Sequence, residues 1–257
     1  MNNTNLDSLL QALIPIVRAA GESIMDIYAG DIKVRSKDDS SPVTEADERA
    51  EAVILPALQA LDTSIPIVSE EQASAGHIPE TGKRFWLVDP LDGTKEFINR
   101  NGEFTVNVAL IEDGVPILGV VLAPALDRLF AGARGLGAFV ESTGERRSIN
   151  CRQIPAAGLT VVASRSHGDA SALEAFLNGR KVASQSSAGS SLKLCLVAAG
   201  EADVYPRLGR TMEWDIAAGD AVLRAAGGRL VTLDEQTMIY GKPDFANPHF
   251  AAWGLAS

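Results

Sequence analysis

Two carboxylates three residues apart, followed at once by glycine and threonine, are the most reactive arrangement in the chain: Asp89-Pro90-Leu91-Asp92-Gly93-Thr94. Trp86, Leu87 and Val88 precede them as an apolar run and read as a buried strand. That strand delivers Asp89 to its end, where Pro90 stops the ladder for want of an N–H. Asp92 returns to the same side, and Gly93 and Thr94 offer backbone N–H groups before a helical turn. Acids placed beside free amides can bind a metal-bridged phosphate, the acids holding the cation and the amides the phosphate oxygens. The same residues could instead make an Asx-type turn capping a short helix, with Asp92 in water. Further acidic stretches weigh against that. Ile65-Pro66-Ile67-Val68 reads as a short strand running into Ser69-Glu70-Glu71. Trp214-Asp215-Ile216-Ala217-Ala218-Gly219-Asp220 opens a helix with an acid in its first turn.

These three stretches, in this order, resemble the three-part signature of the inositol monophosphatase superfamily of Mg-dependent, lithium-sensitive phosphatases. The Lys95-Glu96-Phe97 extension is similar to that of the CysQ-type 3'(2'),5'-bisphosphate nucleotidases within it. The resemblance runs from about Ala20 to the C-terminus. It implies an α+β fold, a layered αβαβα sandwich, and two or three Mg2+ ions. Glu70, Asp89 and the Leu91 carbonyl would hold one ion, and Asp89, Asp92 and Asp215 a second. Asp47 would face the site and pair with Thr94, and with Glu70 these make up the implied catalytic set. Glu70, Leu91, Asp92, Gly93, Thr94 and Asp215 would also border the substrate.

Hydrolysis of a phosphate monoester near neutral pH needs an activated water, neutralised phosphate oxygens and a stabilised leaving alkoxide. Two divalent ions about 3.5–4 Å apart can supply all three. Hard Mg2+ wants oxygen ligands, and the residues above are oxygen donors. No His/Cys cluster argues for zinc. Without the family, the residues say only that some carboxylate near Thr94 is the base. Glu71, next to Glu70 on a strand, is expected to point to the other side.

Net charge is −10 over 257 residues, which disfavours a basic face for nucleic acid. It also poses a difficulty for an anionic substrate, since unit charges about 4 Å apart repel by about 4 kcal/mol at an effective dielectric near 20. Divalent cations reverse the local sign, so metal dependence follows from charge alone. No run approaches the roughly 18 apolar residues that span a bilayer, and Met1–Asp7 lacks the basic region of a signal peptide. Cys151 and Cys195, among small and apolar neighbours, read as reduced packing cysteines of a cytoplasmic protein. Some family members are reported on the cytoplasmic face of the inner membrane, but no basic amphipathic helix here explains such attachment. Monomer and homodimer stay open.

The elements that position these residues follow from periodicity. Leu6 to Tyr28 has helical spacing with a kink or break at Pro15. Ile32–Lys37 alternates as an edge strand, with Lys37 a solvated charge or a phosphate contact. Thr44 is an N-cap and Asp47, three residues on, completes a variant capping box, a purely structural alternative to the catalytic role. A mobile polar loop is expected over 72–83, with His77 solvated. Strands over 104–112, 115–123, 128–133 and 138–141 form an antiparallel meander punctuated by Asp-Gly, Pro and Gly. A subdomain boundary near Ile154–Gly158 divides 1–157, carrying most metal ligands, from 158–257, carrying Asp215 and the substrate pocket. In the second part strands and helices alternate: strand 160–164, helix 170–177, strand 181–186, helix 190–199, strand 202–205, helix 213–226, then strands 229–233 and 249–253.

Substrate choice falls in that second part. Bisphosphate nucleotidases carry a Ser and a Lys about a helical turn apart, then an Arg after a Val-Tyr strand, and the matches are Ser190, Lys193 and Arg207. Ser190 and Lys193 at i and i+3 near a helix start share a face and suit a second phosphate, with Lys193 partly exposed. His167 matches the position beside the nucleotide base. Each alone reads equally as a capping Ser, a snorkelling Lys and a loop His. The resemblance implies removal of the 3'-phosphate of adenosine 3',5'-bisphosphate, a small-molecule by-product of sulfate assimilation, and action on its sulfated form. An inositol- or sugar-phosphate monoesterase is the alternative, and a non-catalytic metal and nucleotide sensor is the third reading.

Overall fold

The computed structural model describes residues 3–32, 34–36, 42–164 and 170–255. Lys37 and His167 lie outside them. Helix α1 (Asn3–Tyr28) runs unbroken through Pro15. The buried Leu10, Leu13, Ile14 and Val17 hold the turns around the proline, so packing outweighs the one lost backbone bond. Strand β1 (Val34–Ser36) pairs antiparallel with β2 (Pro42–Thr44), and α2 (Glu45–Leu61) begins at Thr44. Strand β3 (Ile67–Ser69) leads directly into a short helix α3 (Glu70–Ser74).

A seven-stranded sheet follows, formed by β3, β4 (Arg84–Asp92), β5 (Thr105–Glu112), β6 (Val115–Ala123), β7 (Arg128–Ala133), β8 (Gly137–Ser142) and β9 (Glu145–Ile149) in sequence order. A short helix α4 (Thr94–Ile98) lies between β4 and β5. All the pairings are antiparallel except β3 with β4. The expected meander is therefore present, with β9 as an additional strand. The β5–β6 turn places Asp113 and Gly114 at φ 49° and 75°, the left-handed pair that a two-residue hairpin demands.

The second sheet contains β10 (Leu159–Ser164), β11 (Val182–Ala188), β12 (Val204–Arg207), β13 (Arg229–Thr232) and β14 (Phe250–Trp253), in the order β11-β10-β12-β14-β13. Helices α5 (Ala170–Leu177), α6 (Leu192–Ala198) and α7 (Glu213–Ala225) are interleaved with them. Alternation along the strands sorts the core. Trp86 and Val88 of β4 with Val106, Val108 and Leu110 of β5 pack with α1 and α2. Phe85, Leu87, Ala109 and Ile111 face the other way, into a core shared with α6, α7 and the second sheet. Leu159, Val161 and Val204 pack against α5 on the outer side. The layers thus run helix, sheet, helix, sheet, helix, the αβαβα sandwich expected from the resemblance. Gly119 lets α7 approach β6 closely, since a Cβ there would stand 2.4 Å from the Ala218 carbonyl oxygen. The two sheets fall on either side of residues 150–158, yet α7 from the later part packs on β4 to β8 of the earlier one.

Candidate active site

Strand β4 does not stop at Pro90. Its partner β5 advances from Asn107 to Thr105 while β4 advances from Asp89 to Asp92, so β4 carries one extra residue there. A bulge absorbs the proline, whose missing N–H is tolerated where the ladder is already interrupted. The bulge also sets the geometry of the acids. Asp89 is 1% exposed; its Oδ1 accepts the Leu91 N–H at 3.1 Å, and its Oδ2 is buried without a hydrogen-bond partner. Asp92 Oδ2 accepts the Ser191 N–H at 2.6 Å. Gly93 follows at φ 89°, a conformation other side chains rarely adopt, and α4 starts at Thr94.

Asp47 carries both readings the sequence left open. Its Oδ2 accepts the Thr44 N–H and the Thr44 hydroxyl, each at 2.8 Å, as the capping residue of α2. Its Oδ1 stands 3.5 Å from Thr94 Oγ1, at the outer limit of a hydrogen bond, and Thr94 Oγ1 is 3.4 Å from the Leu91 carbonyl. Asp215, third residue of α7, accepts the Met212 N–H on Oδ2 at 2.9 Å. Glu70 and Glu71 are the first two residues of α3, so they lie about 100° apart on a helix rather than on opposite faces of a strand.

Glu70, Asp89, Asp92, Thr94 and Asp215 line one cleft of ≈ 420 Å³. A larger depression of ≈ 790 Å³ lies along Leu55–Pro79 and holds none of the carboxylates. Burial raises the Asp89 and Asp215 carboxyls well above the usual range, and the charges of Glu70 and Asp92 raise both further. Asp92 is pushed up to about 6, mainly by burial and against the opposing charge of Lys193. Acids that resist ionisation in one another's presence, with an orphaned Asp89 oxygen among them, fit a divalent cation. Among the described residues, no three such side chains are gathered into a finished ligand cage.

The substrate side differs from expectation in two respects. Ser190 has φ 46° and precedes α6, so it shares no helical face with Lys193. Lys193 is 3% exposed, and its Nζ donates to the carbonyls of Ala188 (3.1 Å) and Ser190 (2.6 Å). It lines the cleft with its Nζ 5.2 Å from the centroid of the Tyr205 ring, and burial lowers its pKa to about 8 although the Asp92 charge opposes that shift. Arg207 borders the cleft, its Nη1 donating to Ser164 Oγ at 3.0 Å and its Nη2 to the Arg210 carbonyl at 2.9 Å. His167 lies outside the described residues. In the Lys95-Glu96-Phe97 extension, Phe97 is fully buried against Tyr28 and Phe104, with ring centroids 5.2 and 5.1 Å away.

Sequence reasoning passed over several residues at this site. Arg210 also lines the cleft. Ser69 donates its hydroxyl to Glu51, fixing the corner that carries Glu70. Glu213, fully buried, accepts the N–H groups of Gly241 (2.7 Å) and Lys242 (3.0 Å) and pairs with Lys242 Nζ at 2.6 Å, bracing the start of α7. Thr105 and Asn107 are also buried, and a signal existed for them: two polar side chains among the apolar residues that precede Glu112 in β5.

The model of the inositol monophosphatase family matches residues 5–256, and the chain belongs to that family. Within it, the chain is 46% identical over 245 residues to the 3'(2'),5'-bisphosphate nucleotidase CysQ of Escherichia coli K12, covering 94% of this chain and 98% of that protein. The namesake from Buchnera aphidicola is 41% identical over 252 residues, covering 96% and 94%. The crystal structure of CysQ from Bacteroides thetaiotaomicron superposes with a TM-score of 0.83 at 36% identity, over 99% of this chain and 100% of that one. The inositol monophosphatase of Thermotoga maritima gives a TM-score of 0.79 at 26% identity, over 96% and 92%. The resemblance read from the three motifs is borne out. No helix among the described residues is long and apolar enough to cross a membrane.

Proposed function

We propose that this chain is a Mg2+-dependent phosphatase that removes the 3'-phosphate of adenosine 3',5'-bisphosphate, yielding AMP and phosphate. The observation that carries the reading is one cleft lined both by mutually repelling carboxylates and by Arg207. The names of the relatives at 41–46% identity supply the substrate class. Glu70, Asp89, the Leu91 carbonyl, Asp92 and Asp215 would hold two or three ions. Bound Mg2+ would neutralise phosphate oxygens and the leaving alkoxide and make the attacking water more acidic.

The chain's own groups do the rest. Thr94 Oγ1, aligned by Asp47 Oδ1, accepts a hydrogen bond from the water, and Asp47 is the base that takes the proton. Gly93 and Thr94 offer backbone N–H groups to the phosphate. No side chain serves as nucleophile, so water attacks in line. Ser190 and Arg207 meet the 5'-phosphate, with the buried Lys193 adding charge from beneath. The sulfated nucleotide presents the same two phosphates and falls within the reading, as does a place in sulfate assimilation. A reducing cytoplasm suits the free, buried Cys151 and Cys195.

Phosphate release from adenosine 3',5'-bisphosphate and from inositol monophosphate, each with and without Mg2+, separates the readings. Faster Mg2+-dependent turnover of the bisphosphate supports this one. Preference for inositol monophosphate selects the monoesterase, and no turnover of either selects a sensor.

A further inference from the structure

Asp89 and Asn107 stand directly opposite one another on β4 and β5. Their side chains share the face that also carries Phe85, Leu87, Ala109 and Ile111, toward the inner helical layer. Both are closed off from solvent, Asp89 at 1% and Asn107 at 0% exposure. Each nevertheless has a polar atom without a partner: the acceptor Asp89 Oδ2 and the donor Asn107 Nδ2. Buried polar atoms are almost always hydrogen-bonded, and while a cation can meet Asp89 Oδ2, the donor opposite it on the next strand still lacks an acceptor.

The amide oxygen is held from behind. Ser191 Oγ donates to Asn107 Oδ1 at 2.6 Å and lies 3.0 Å from Thr105 Oγ1, which can donate to it in turn. That chain leaves Nδ2 as the end of the amide turned away from Ser191. In this orientation a donor, not an acceptor, shares the face of the sheet with Asp89. Ser191 also gives its backbone N–H to Asp92 Oδ2. One residue at the start of α6 thus ties both Asp92 and Asn107.

We infer that Asn107 is a positioning residue for Asp89, its side-chain amide holding the carboxylate's second oxygen, directly or through one water, when the acid is ionised around a divalent cation. The inference rests on the Mg2+-dependent reading above. The amide supplies a neutral donor that orients Asp89 without adding charge to a site already crowded with acids. Side chains that orient metal-holding carboxylates in this way carry much of a site's affinity.

The test is Asn107→Leu, which keeps the branched heavy-atom skeleton and removes the donor together with the oxygen that Ser191 meets. The readout is the Mg2+ concentration giving half of the Mg2+-induced rise in melting temperature, without substrate. The variant should need roughly 10- to 100-fold more Mg2+ than wild type. At saturating Mg2+ its KM for the nucleotide should stay within about twofold, because Asn107 touches no substrate. A variant with a lower metal-free melting temperature but unchanged Mg2+ demand would show a packing residue only and overturn the inference. A wild type with no Mg2+-induced rise would instead defeat the metal-dependent reading, so the two failures are distinct. Should Asn107→Leu not fold, the crystal structure of the Mg2+-loaded wild type decides. Nδ2 bonded to Asp89, or to a water that Asp89 holds, supports the inference, and Nδ2 on any other acceptor overturns it.

Discussion

Asp92→Asn should make the metal-free protein more stable at pH 8 and leave it nearly unchanged at pH 4. Folding raises the Asp92 carboxyl from 3.8 to about 6, with burial the largest cause. The fold therefore binds this proton more tightly than the unfolded chain does. The stability that the protonated acid contributes is complete below about pH 4 and is lost as pH rises through about 6. At 1.36 kcal/mol for each tenfold in proton affinity, the loss is about 3 kcal/mol. For a chain of this length that is roughly 6–12 °C in melting temperature. Asp89 and Asp215 shift in the same sense, so wild type should lose stability more steeply than Asp92 alone dictates. The assay is thermal melting in EDTA from pH 4 to 8, wild type against variant. The variant's curve should be flatter, and Mg2+ should restore wild type but not Asp92→Asn. Parallel curves would refute the raised Asp92 carboxyl on which the prediction rests.

On the proposed mechanism Thr94→Ala removes the hydroxyl that relays the water's proton to Asp47, and kcat should fall roughly 10²- to 10⁴-fold with KM little changed, as read by steady-state kinetics. Arg207→Ala should lower kcat/KM for adenosine 3',5'-bisphosphate roughly 10- to 150-fold, the equivalent of a 1.5–3 kcal/mol charge-assisted contact, mainly through KM. Hydrolysis of a single-phosphate substrate should be nearly unaffected by the same change. Equal losses on both substrates would move Arg207 from the distal phosphate to the scaffold.

Much of this molecule is legible in its sequence because the informative features are local. Asp113-Gly114 marks its hairpin through backbone freedom alone, and the helix over Ala170–Leu177 follows from spacing. The acids of the cleft were found because their types and order carry chemistry wherever the chain places them. The misreadings concern residues whose setting is made by distant partners. Pro90 continues its strand because β5 accommodates a bulge, and nothing in Asp89–Asp92 announces that partner. Lys193 is buried against the Tyr205 ring of β12, a partner that its own stretch does not announce, so charge alone suggested exposure. Ser190 leaves the helix through a left-handed φ that a serine does not advertise. Strand β9 has four exposed polar residues, Glu145 to Ser148, and so lacks the apolar alternation by which strands are read. Pro15 shows the converse, a local breaker overruled by a buried helix face.

The central claim is that this cleft, loaded with Mg2+, cleaves one particular ester of a doubly phosphorylated nucleotide. The direct measurement is the identity of the nucleotide formed from adenosine 3',5'-bisphosphate, resolved chromatographically with Mg2+ present and again with EDTA. The account predicts adenosine 5'-phosphate and one equivalent of phosphate with Mg2+, and unreacted substrate with EDTA. Formation of adenosine 3'-phosphate, or turnover indifferent to EDTA, would contradict it.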